Sequence, residues 1–398
     1  FKGDDKLLCV VSAMGKTTNA LELVLKQAIE SKGTSMPEMQ KVYEYHKQII
    51  DELELGNDVL AEIDESFLEM KDLCVNQYAN EYNYFYDQVV SLGEILSTKI
   101  VARYLQKIGV SAIYKDGGGL IRTDSTYREG KVNWTVTEHL IQTHIKVLLE
   151  GAENANNVII TQGFTGKTSE GSRVTLGREG SDYSAAIFAY CLGAEEVTIW
   201  KDVPGVLNAD PKIFPEAQLF NKLSYTDAIE LAYYGATVIH PKTIKPLQNK
   251  NIVLRVRSFV NPTAQGTIID NKEEFGLLPS FIFKKNQALL SLSPKDFSFV
   301  AEENLAQIFG LLTAHRIKVN LMQNSAISFS LCIDNDALKV PALLTQLHEL
   351  YNIEFTENLE LITIRNYNEA IVNRFTKGKT ILAEQKNDHT VRFVIAGE

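Results

Sequence analysis

Residues 161–186 read TQGFTGKTSEGSRVTLGREGSDYSAA, and this stretch decides the predicted fold. An apolar run at 158–160 precedes it and predicts a buried strand, while the alanine-rich residues 185–192 after it predict a helix. Five glycines lie between the two, and Ser181 and Asp182 stand where the N-cap of the helix is expected. A strand-to-helix junction of this kind can present backbone amides and the positive end of a helix dipole to an anion.

Arg178, within the same stretch, carries a planar guanidinium whose geometry suits a carboxylate or a phosphate. For any single glycine, an ordinary hairpin followed by a capped helix is the simpler interpretation. The five glycines and the arginine together favour an anion-binding site.

The composition excludes several classes of protein. A chain of 398 residues with 45% hydrophobic residues is long enough for two or three domains. Its formal net charge of −10 argues against a nucleic-acid surface, and no apolar run approaches the roughly 18 residues of a membrane span. The four cysteines are scattered, with neither zinc-site nor disulfide spacing. We therefore expect a soluble, cytoplasmic protein without nucleic-acid or membrane partners.

Strands alternate with helices along the first 270 residues. Apolar runs at 7–12, 110–114, 158–161 and 196–200 predict strands, and residues 134–150 predict an amphipathic helix between two of them. This alternation is typical of an α/β domain whose mainly parallel sheet is covered by helices, with ligands at the carboxyl ends of the strands.

A mostly helical insertion, residues 36–107, interrupts this pattern and includes the long helix predicted at 82–108. Glu94 lies in that helix between apolar neighbours. Taken alone, it is more simply an exposed helix acid than a functional group. The turn at 12–19 is rich in hydroxyls and could hold a small anion, although Thr18 could equally serve only as the cap of the next helix.

From residue 281 the pattern changes to β-α-β-β-α-β, the pattern of a small ligand-sensing domain. Short strands are expected at 289–292, 353–356 and 359–364. A second, abbreviated unit follows at 357–398, and residues 271–280 read as a linker.

Several motifs taken together closely resemble the aspartokinase family. They are Ser12-Ala13-Met14 with Thr18-Asn19, Gly93-Glu94 with Ser97, the run from Gly177 to Tyr183, the run from Asp202 to Val206, Asp210-Pro211, and Gly235-Ala236 with His240-Pro241. The resemblance implies an amino-acid-kinase fold over residues 1–270 and two α+β, ferredoxin-like ACT domains at 281–356 and 357–398. It also implies transfer of the γ-phosphoryl group of ATP, with Mg²⁺, to the side-chain carboxylate of L-aspartate.

The resemblance also implies roles for individual residues. Arg178 would bind the α-carboxylate of aspartate and Glu94 its ammonium, with Thr18 and Ser181 lining the same pocket. The implied catalytic residues are Ser12 and Asp182. The implied ATP-binding residues are Lys201, Asp202, Leu207, Lys212 and Thr237. Of these, Lys201, Leu207, Lys212 and Thr237 replace the Thr, Tyr, Arg and Lys of the better known relatives.

The family also opens with Lys-Phe-Gly-Gly-Thr-Ser, whose lysine neutralises charge on the transferring phosphoryl group. No such motif occurs here. We expect this segment to precede Phe1 in the protein.

For the tail, the resemblance implies regulation by an amino acid, lysine or threonine or both, in a homodimer or a dimer of dimers. The implied effector site joins the strand-to-helix junction with Ser298, Ala301 and Leu305 to the facing strand with Asn320, Gln323 and Ser325. Asn320 replaces the Asp of a lysine-sensing relative, which weakens the case for lysine alone. Three alternatives stay open: a kinase for an N-acetylated or longer acid, a catalytically inactive sensor, and a tail that only builds a dimer.

Overall fold

The computed structural model describes residues 6–150, 158–236, 238–272, 278–296 and 298–396 of the chain. The chain forms two units. The first comprises Phe1–Ile199, Ile239–Arg255 and Ile269–Asn271, and the second comprises Trp200–Val238, Val256–Ile268 and Lys272–Glu398. Within the described residues, no helix combines the length and the apolar character needed to cross a membrane.

The secondary structure elements are numbered in chain order. The strands are β1 (Leu7–Val11), β2 (Ala112–Lys115), β3 (Val158–Gln162), β4 (Thr165–Lys167), β5 (Arg173–Thr175), β6 (Glu196–Lys201), β7 (Lys222–Ser224), β8 (Val253–Ser258), β9 (Thr267–Asp270), β10 (Ser280–Pro294), β11 (Val319–Asn324), β12 (Phe329–Asp334), β13 (Tyr351–Arg365), β14 (Ile381–Lys386) and β15 (Thr390–Ala396). The helices are α1 (Thr17–Ser31), α2 (Pro37–Glu52), α3 (Asn57–Asn76), α4 (Tyr82–Val90), α5 (Leu92–Lys107), α6 (Gly117–Leu120), α7 (Trp134–Ile141), α8 (Val147–Glu150), α9 (Gly180–Leu192), α10 (Tyr225–Tyr234), α11 (Pro241–Lys250), α12 (Glu302–Ala314), α13 (Lys339–Leu350) and α14 (Glu369–Thr376).

A parallel three-stranded sheet of order β1-β3-β2 forms the centre of the first unit. All five residues of β3 are buried, because helices cover both faces of the sheet. Ile160 packs in one apolar cluster with Ala102 of α5, while Ile159 packs in another with Ile187 and Phe188 of α9. The prediction of a parallel sheet covered by helices is therefore confirmed.

The helical insertion packs around one apolar core built from α1 to α5. The long helix predicted at 82–108 is wrong, because the chain turns at Ser91 and forms two helices, α4 and α5. The helix predicted at 134–150 contains a π-helical turn, Gln142–Lys146, between α7 and α8.

A further antiparallel hairpin, β4 with β5, lies inside the glycine-rich stretch, where the sequence analysis placed no strand.

A four-stranded sheet has the order β6-β8-β9-β7. Helix α10 follows β7 directly, and the hydroxyl of Ser224 caps it by accepting a hydrogen bond from the amide of Asp227 at 3.0 Å.

The tail forms one six-stranded antiparallel sheet of order β11-β12-β10-β13-β15-β14. The short strands predicted at 289–292, 353–356 and 359–364 are wrong in extent: the first is part of the 15-residue β10, and the other two are a single strand, β13. β10 and β13 pair along nearly their whole length, from Ser280 opposite Arg365 to Pro294 opposite Tyr351.

Two β-bulges in this pairing explain how both strands pack against two different sets of helices. Strand β10 has one extra residue between Lys284 and Gln287, and β13 has one extra residue directly beyond this point. Each of these β-bulges reverses the alternation of side chains between the two faces of the sheet. Phe281 therefore packs against α14, while Leu290, at an even position, packs against α12 and α13. The two predicted ACT domains consequently share the two long strands.

Candidate active site

The carboxyl ends of β1 and β3 meet the beginning of α9. The amide of Gly163 donates a hydrogen bond to the carbonyl of Val11 at 3.1 Å, which fixes the two strand ends side by side. A Cβ built on Gly163 would lie 2.6 Å from the Cα of Ser181 and 2.8 Å from its Oγ. Only glycine permits this approach. The predicted residues Ser12, next to Val11, and Ser181 therefore lie at one junction.

Helix α9 begins at Gly180, five residues before the predicted start at residue 185. Glu179, in the left-handed conformation with φ 53°, occupies the N-cap position, so the N-cap predicted at Ser181 and Asp182 is wrong. Both residues lie instead in the first turn of the helix and are half-buried. The first-turn amides and the dipole of a 13-residue helix at the sheet edge are suited to an anion.

Glu94 is buried, with only 4% of its surface exposed, in the first turn of α5. The interpretation of Glu94 as an exposed helix acid is therefore wrong. Gly93 brings this turn close to the end of β1, since a Cβ there would lie 3.3 Å from the Cβ of Ala13. The backbone of Ala13 hydrogen-bonds to the carboxyl of Glu94.

The carboxyl of Glu94 has too few hydrogen bonds to offset the cost of burying its charge. Burial raises its pKa to about 8, although hydrogen bonds from the backbone of Glu94 itself and of Ala13 act in the opposite direction. Its Oε2 has no hydrogen-bond partner among the described residues. A buried carboxylate with an open acceptor is suited to an incoming cation such as an ammonium group.

Two threonines follow β1, and the structure shows which of them closes the turn before α1. The hydroxyl of Thr17 donates to the carbonyl of Met14 at 2.7 Å and closes the turn before α1. The N-cap position is Lys16, so Thr18 is not the cap of the helix and lies half-buried in its first turn. The sequence analysis missed Thr17, although its place beside Thr18 in a strand-to-helix turn was a usable signal.

Arg178 lies exposed in the turn between β5 and α9. The backbone beneath it is closely packed: Gly177 has φ 79°, and a Cβ there would lie 3.2 Å from the carbonyl of Arg128. The amide of Gly130 also donates to the carbonyl of Thr175 at 3.0 Å. The guanidinium is thus exposed to solvent on a well-supported turn.

A second polar cluster at the ends of β2 and β3 was not foreseen. Lys167 donates to Asp116 at 2.7 Å, and Gln162 accepts a hydrogen bond from the amide of Gly117 at 3.1 Å. Gln162 also donates to the other carboxylate oxygen of Asp116. The three consecutive glycines at 117–119 were the signal in the sequence, because Gly117 has no room for a Cβ beside Thr161.

The predicted nucleotide residues that the structure describes belong to the second unit. Lys201 ends β6, and its carbonyl accepts a hydrogen bond from the amide of Phe259 at 2.7 Å. Leu207 is half-buried and pairs with Leu219 in an isolated bridge. Asp202 and Lys212 are exposed. Thr237 lies outside the described residues.

The predicted effector residues, also in the second unit, divide into two groups. The amide of Val300 donates to the carbonyl of Ala326 at 2.9 Å, which brings the junction before α12 against the turn between β11 and β12. The junction residues are exposed Ser298 and half-buried Ala301 and Leu305, and the facing residues Gln323 and Ser325 are exposed.

Asn320, by contrast, is only 4% exposed. Its side-chain oxygen accepts from the ammonium of Lys284 at 2.8 Å, and its nitrogen donates to Gln287 and Asp334, each at 2.8 Å. Burial lowers the pKa of Lys284. Asn320 therefore belongs to an internal polar network.

The comparisons with known proteins agree on one family. The model of the amino acid kinase family matches residues 1–258. Chloroplastic aspartokinase 2 of Arabidopsis thaliana is 32% identical over 380 residues, which cover 91% of this chain and 66% of the relative. Lysine-sensitive aspartokinase 3 of Escherichia coli (strain K12) is 30% identical over 365 residues, which cover 90% of this chain and 80% of the relative. The chain is thus shorter than either of these relatives.

The same similarity holds in three dimensions. The crystal structure of E. coli aspartokinase III in complex with aspartate and ADP matches this chain with a TM-score of 0.83 at 28% identity. The match covers 99% of this chain and 90% of that one.

The buried carboxyl of Glu94 leads to a prediction about stability and pH. Because its folded pKa of about 8 lies above the ordinary value of 4.5, the folded protein retains between these pH values a proton that the unfolded chain has released. Stability should therefore fall as pH rises from about 4.5 to about 8. Glu94→Gln, which stays neutral, should be more stable than the parent at pH 8.5 by on the order of 5 kcal/mol, and equally stable near pH 4.5.

Denaturant unfolding of both proteins in the absence of ligand measures this difference. Glu65→Gln, which removes an exposed carboxylate from α3, is the control and should show no such trend. A difference between parent and Glu94→Gln that does not change with pH would contradict the assignment.

Proposed function

Because the chain belongs to the amino acid kinase family and, within it, to the aspartokinases, we propose that it phosphorylates the side-chain carboxylate of L-aspartate with ATP. The observation that carries this proposal is the buried, unpartnered Oε2 of Glu94 beside the end of β1. A substrate ammonium would supply the missing partner and would restore the ionised form of the carboxyl. Arg178 would bind the α-carboxylate through two parallel hydrogen bonds.

Held at both ends of its amino-acid head group, aspartate presents its side-chain carboxylate to the nucleotide. One oxygen of this carboxylate attacks the γ-phosphorus, the bond to the leaving oxygen of ADP breaks, and 4-phospho-L-aspartate and ADP form without a net proton transfer. Such a reaction depends mainly on positioning and on electrostatic stabilisation of the phosphoryl oxygens. The first-turn amides of α9 supply positive potential, and Ser12, Thr18 and Ser181 supply hydroxyl donors.

ATP is the proposed phosphoryl donor, and Lys201, Asp202, Leu207, Lys212 and Thr237 are its proposed contacts. Support comes from the relative whose structure contains ADP. Lys201 and Lys212 would supply positive charge in place of the family residues that they replace.

Mg²⁺ is the proposed metal, and it would neutralise charge on the phosphates. In kinase sites Mg²⁺ is commonly bound by one or two carboxylates together with substrate phosphates and water. The half-buried carboxylate of Asp182 could bind one of those waters.

The tail is proposed to bind lysine, threonine or both at the junction near Ser298 and the turn at Ser325, in a homodimer or a dimer of dimers. One relative is named for its sensitivity to lysine. We further propose a cytoplasmic location, which the four free cysteines support.

The first prediction from this proposal concerns the substrate. The protein, with any native residues that precede Phe1, should release ADP from ATP and Mg²⁺ in a coupled assay with L-aspartate, and at least about 10-fold more slowly with glutamate or N-acetylaspartate. The N-acetyl group removes the ammonium that Glu94 needs, and the longer acid misplaces the reacting carboxylate. Turnover of N-acetylaspartate would favour another amino-acid kinase, and no turnover of any acid would favour an inactive sensor.

The second prediction concerns Arg178. Arg178→Lys keeps the charge but replaces the planar fork with a point charge, so the KM for aspartate should rise by about 10-fold or more while the KM for ATP stays within about twofold. Steady-state kinetics with each substrate varied in turn measures both constants. Arg103→Lys, on α5, is the matched control and should change neither. An equal rise in both KM values for Arg178→Lys would refute the assignment.

The third prediction concerns the effector. Asn320→Ala is a poor test, because it would leave the buried ammonium of Lys284 without its 2.8 Å partner. Exposed Gln323 and Ser325 are better targets: alanine at either should weaken inhibition by lysine or threonine several-fold without lowering the uninhibited rate. Asn324→Ala, between them on the chain, is the control. If neither amino acid changes the rate or the melting temperature, alone or combined, the tail does not regulate the enzyme.

A further inference from the structure

A buried aspartate near the end of α4 binds two separate segments of backbone. Asp87 is fully buried, with 0% of its surface exposed. Its Oδ2 accepts hydrogen bonds from the amides of Arg128 at 2.8 Å and Thr175 at 2.9 Å, and its Oδ1 accepts one from the hydroxyl of Thr175 at 2.7 Å. Hydrogen bonds to a carboxylate are stronger than those to a neutral acceptor.

The next residue extends this attachment along β5. Gln88 accepts a hydrogen bond from the amide of Arg173 at 3.2 Å and donates one to its carbonyl at 2.8 Å. The guanidinium of Arg173 also donates to the backbone carbonyl of Gln88 at 2.9 Å. One edge of β5 pairs with β4, so the side chains of Asp87 and Gln88 bind backbone groups that β4 leaves available.

The contacts of Asp87 surround the turn that carries Arg178. Thr175 precedes Arg178 by three residues on the same chain. Arg128, the other backbone donor, has its carbonyl 3.2 Å from the position of a Cβ on Gly177. Asp87 thus fixes both the segment that leads into the turn and the segment against which the turn packs.

The same region of the helical insertion carries Glu94. Helix α4 ends at Val90, and α5 begins at Leu92 after one fully buried residue, Ser91. Only six residues therefore lie between Asp87, which holds the turn of Arg178, and Glu94. This stretch is buried along almost its whole length, so it forms a rigid connection.

We propose that Asp87 is a positioning residue that sets the spacing between Glu94 and Arg178, and thereby the fit of the enzyme to the ammonium and α-carboxylate of its substrate. This inference rests on the proposed function, because the spacing matters only if both groups bind one amino acid. A displacement of about 1 Å would weaken both contacts together. Gln88 supports the same spacing through Arg173.

The chemistry of the site favours this role over simple packing. Burial raises the pKa of Asp87 to about 6, although the three hydrogen bonds act in the opposite direction. A buried carboxylate therefore lowers stability relative to an apolar side chain, but an apolar side chain could not hold two backbone amides and a hydroxyl at once.

The test compares Asp87→Ala, Asp87→Asn and the control Ile63→Ala. Asp87→Ala should raise the KM for aspartate by about 10-fold or more, with the KM for ATP within about twofold, because the turn of Arg178 is released. Asp87→Asn keeps an acceptor oxygen for the two amides and should bring the KM for aspartate back to within about threefold of the parent. Ile63→Ala opens a cavity in the core of the same insertion and should lower the melting temperature without changing either KM.

Hydrogen–deuterium exchange of the ligand-free proteins gives a readout that does not depend on activity. Peptides that contain Arg128 and Thr175 should exchange faster in Asp87→Ala than in the parent or in Ile63→Ala. Equal rises in both KM values, or faster exchange with an unchanged KM for aspartate, would overturn the proposal. If the parent does not phosphorylate aspartate, the proposed function and the role in substrate fit fail together, while exchange still decides whether Asp87 holds the two segments.

Discussion

The close approach of Gly163 to Ser181 is the constraint on which the site depends. The 2.6 Å between a Cβ at Gly163 and the Cα of Ser181 leaves no room for any side chain, so the end of β3 and the start of α9 can meet only through glycine. The hydrogen bond from Gly163 to Val11 adds the end of β1 to the same point. The parallel sheet and the helices over its two faces hold this junction in place.

The parallel sheet and its covering helices were predictable because local patterns determine them. Val158, Ile159 and Ile160 form a continuous apolar run, which is typical of a strand buried on both faces. The hairpin of β4 and β5 escaped prediction because strands of only three residues carry almost no periodic signal. The extent of β13 was missed because polar residues near Glu357 resemble a loop, whereas pairing with β10 keeps them extended.

The environment of the proposed site residues could not be predicted from the sequence. The motifs identified Glu94, yet its neighbours in the sequence do not reveal that Gly93 brings it against Ala13 and away from water. Asn320 was predicted as an effector residue, and its hydrogen bonds to Lys284 and Asp334 could not be foreseen because these partners lie on other strands. Burial and long-range hydrogen bonds are tertiary properties, and a single sequence does not contain them in readable form.

The sharing of β10 and β13 has a consequence for how this tail can evolve and unfold. Each 15-residue strand contributes one end to the core under α12 and α13 and the other to the core under α14. Neither half is an independent module, because its removal would leave the other with truncated central strands. The two halves should therefore melt in a single cooperative step, and exchange of one half between homologous genes would have to preserve the pairing of both strands.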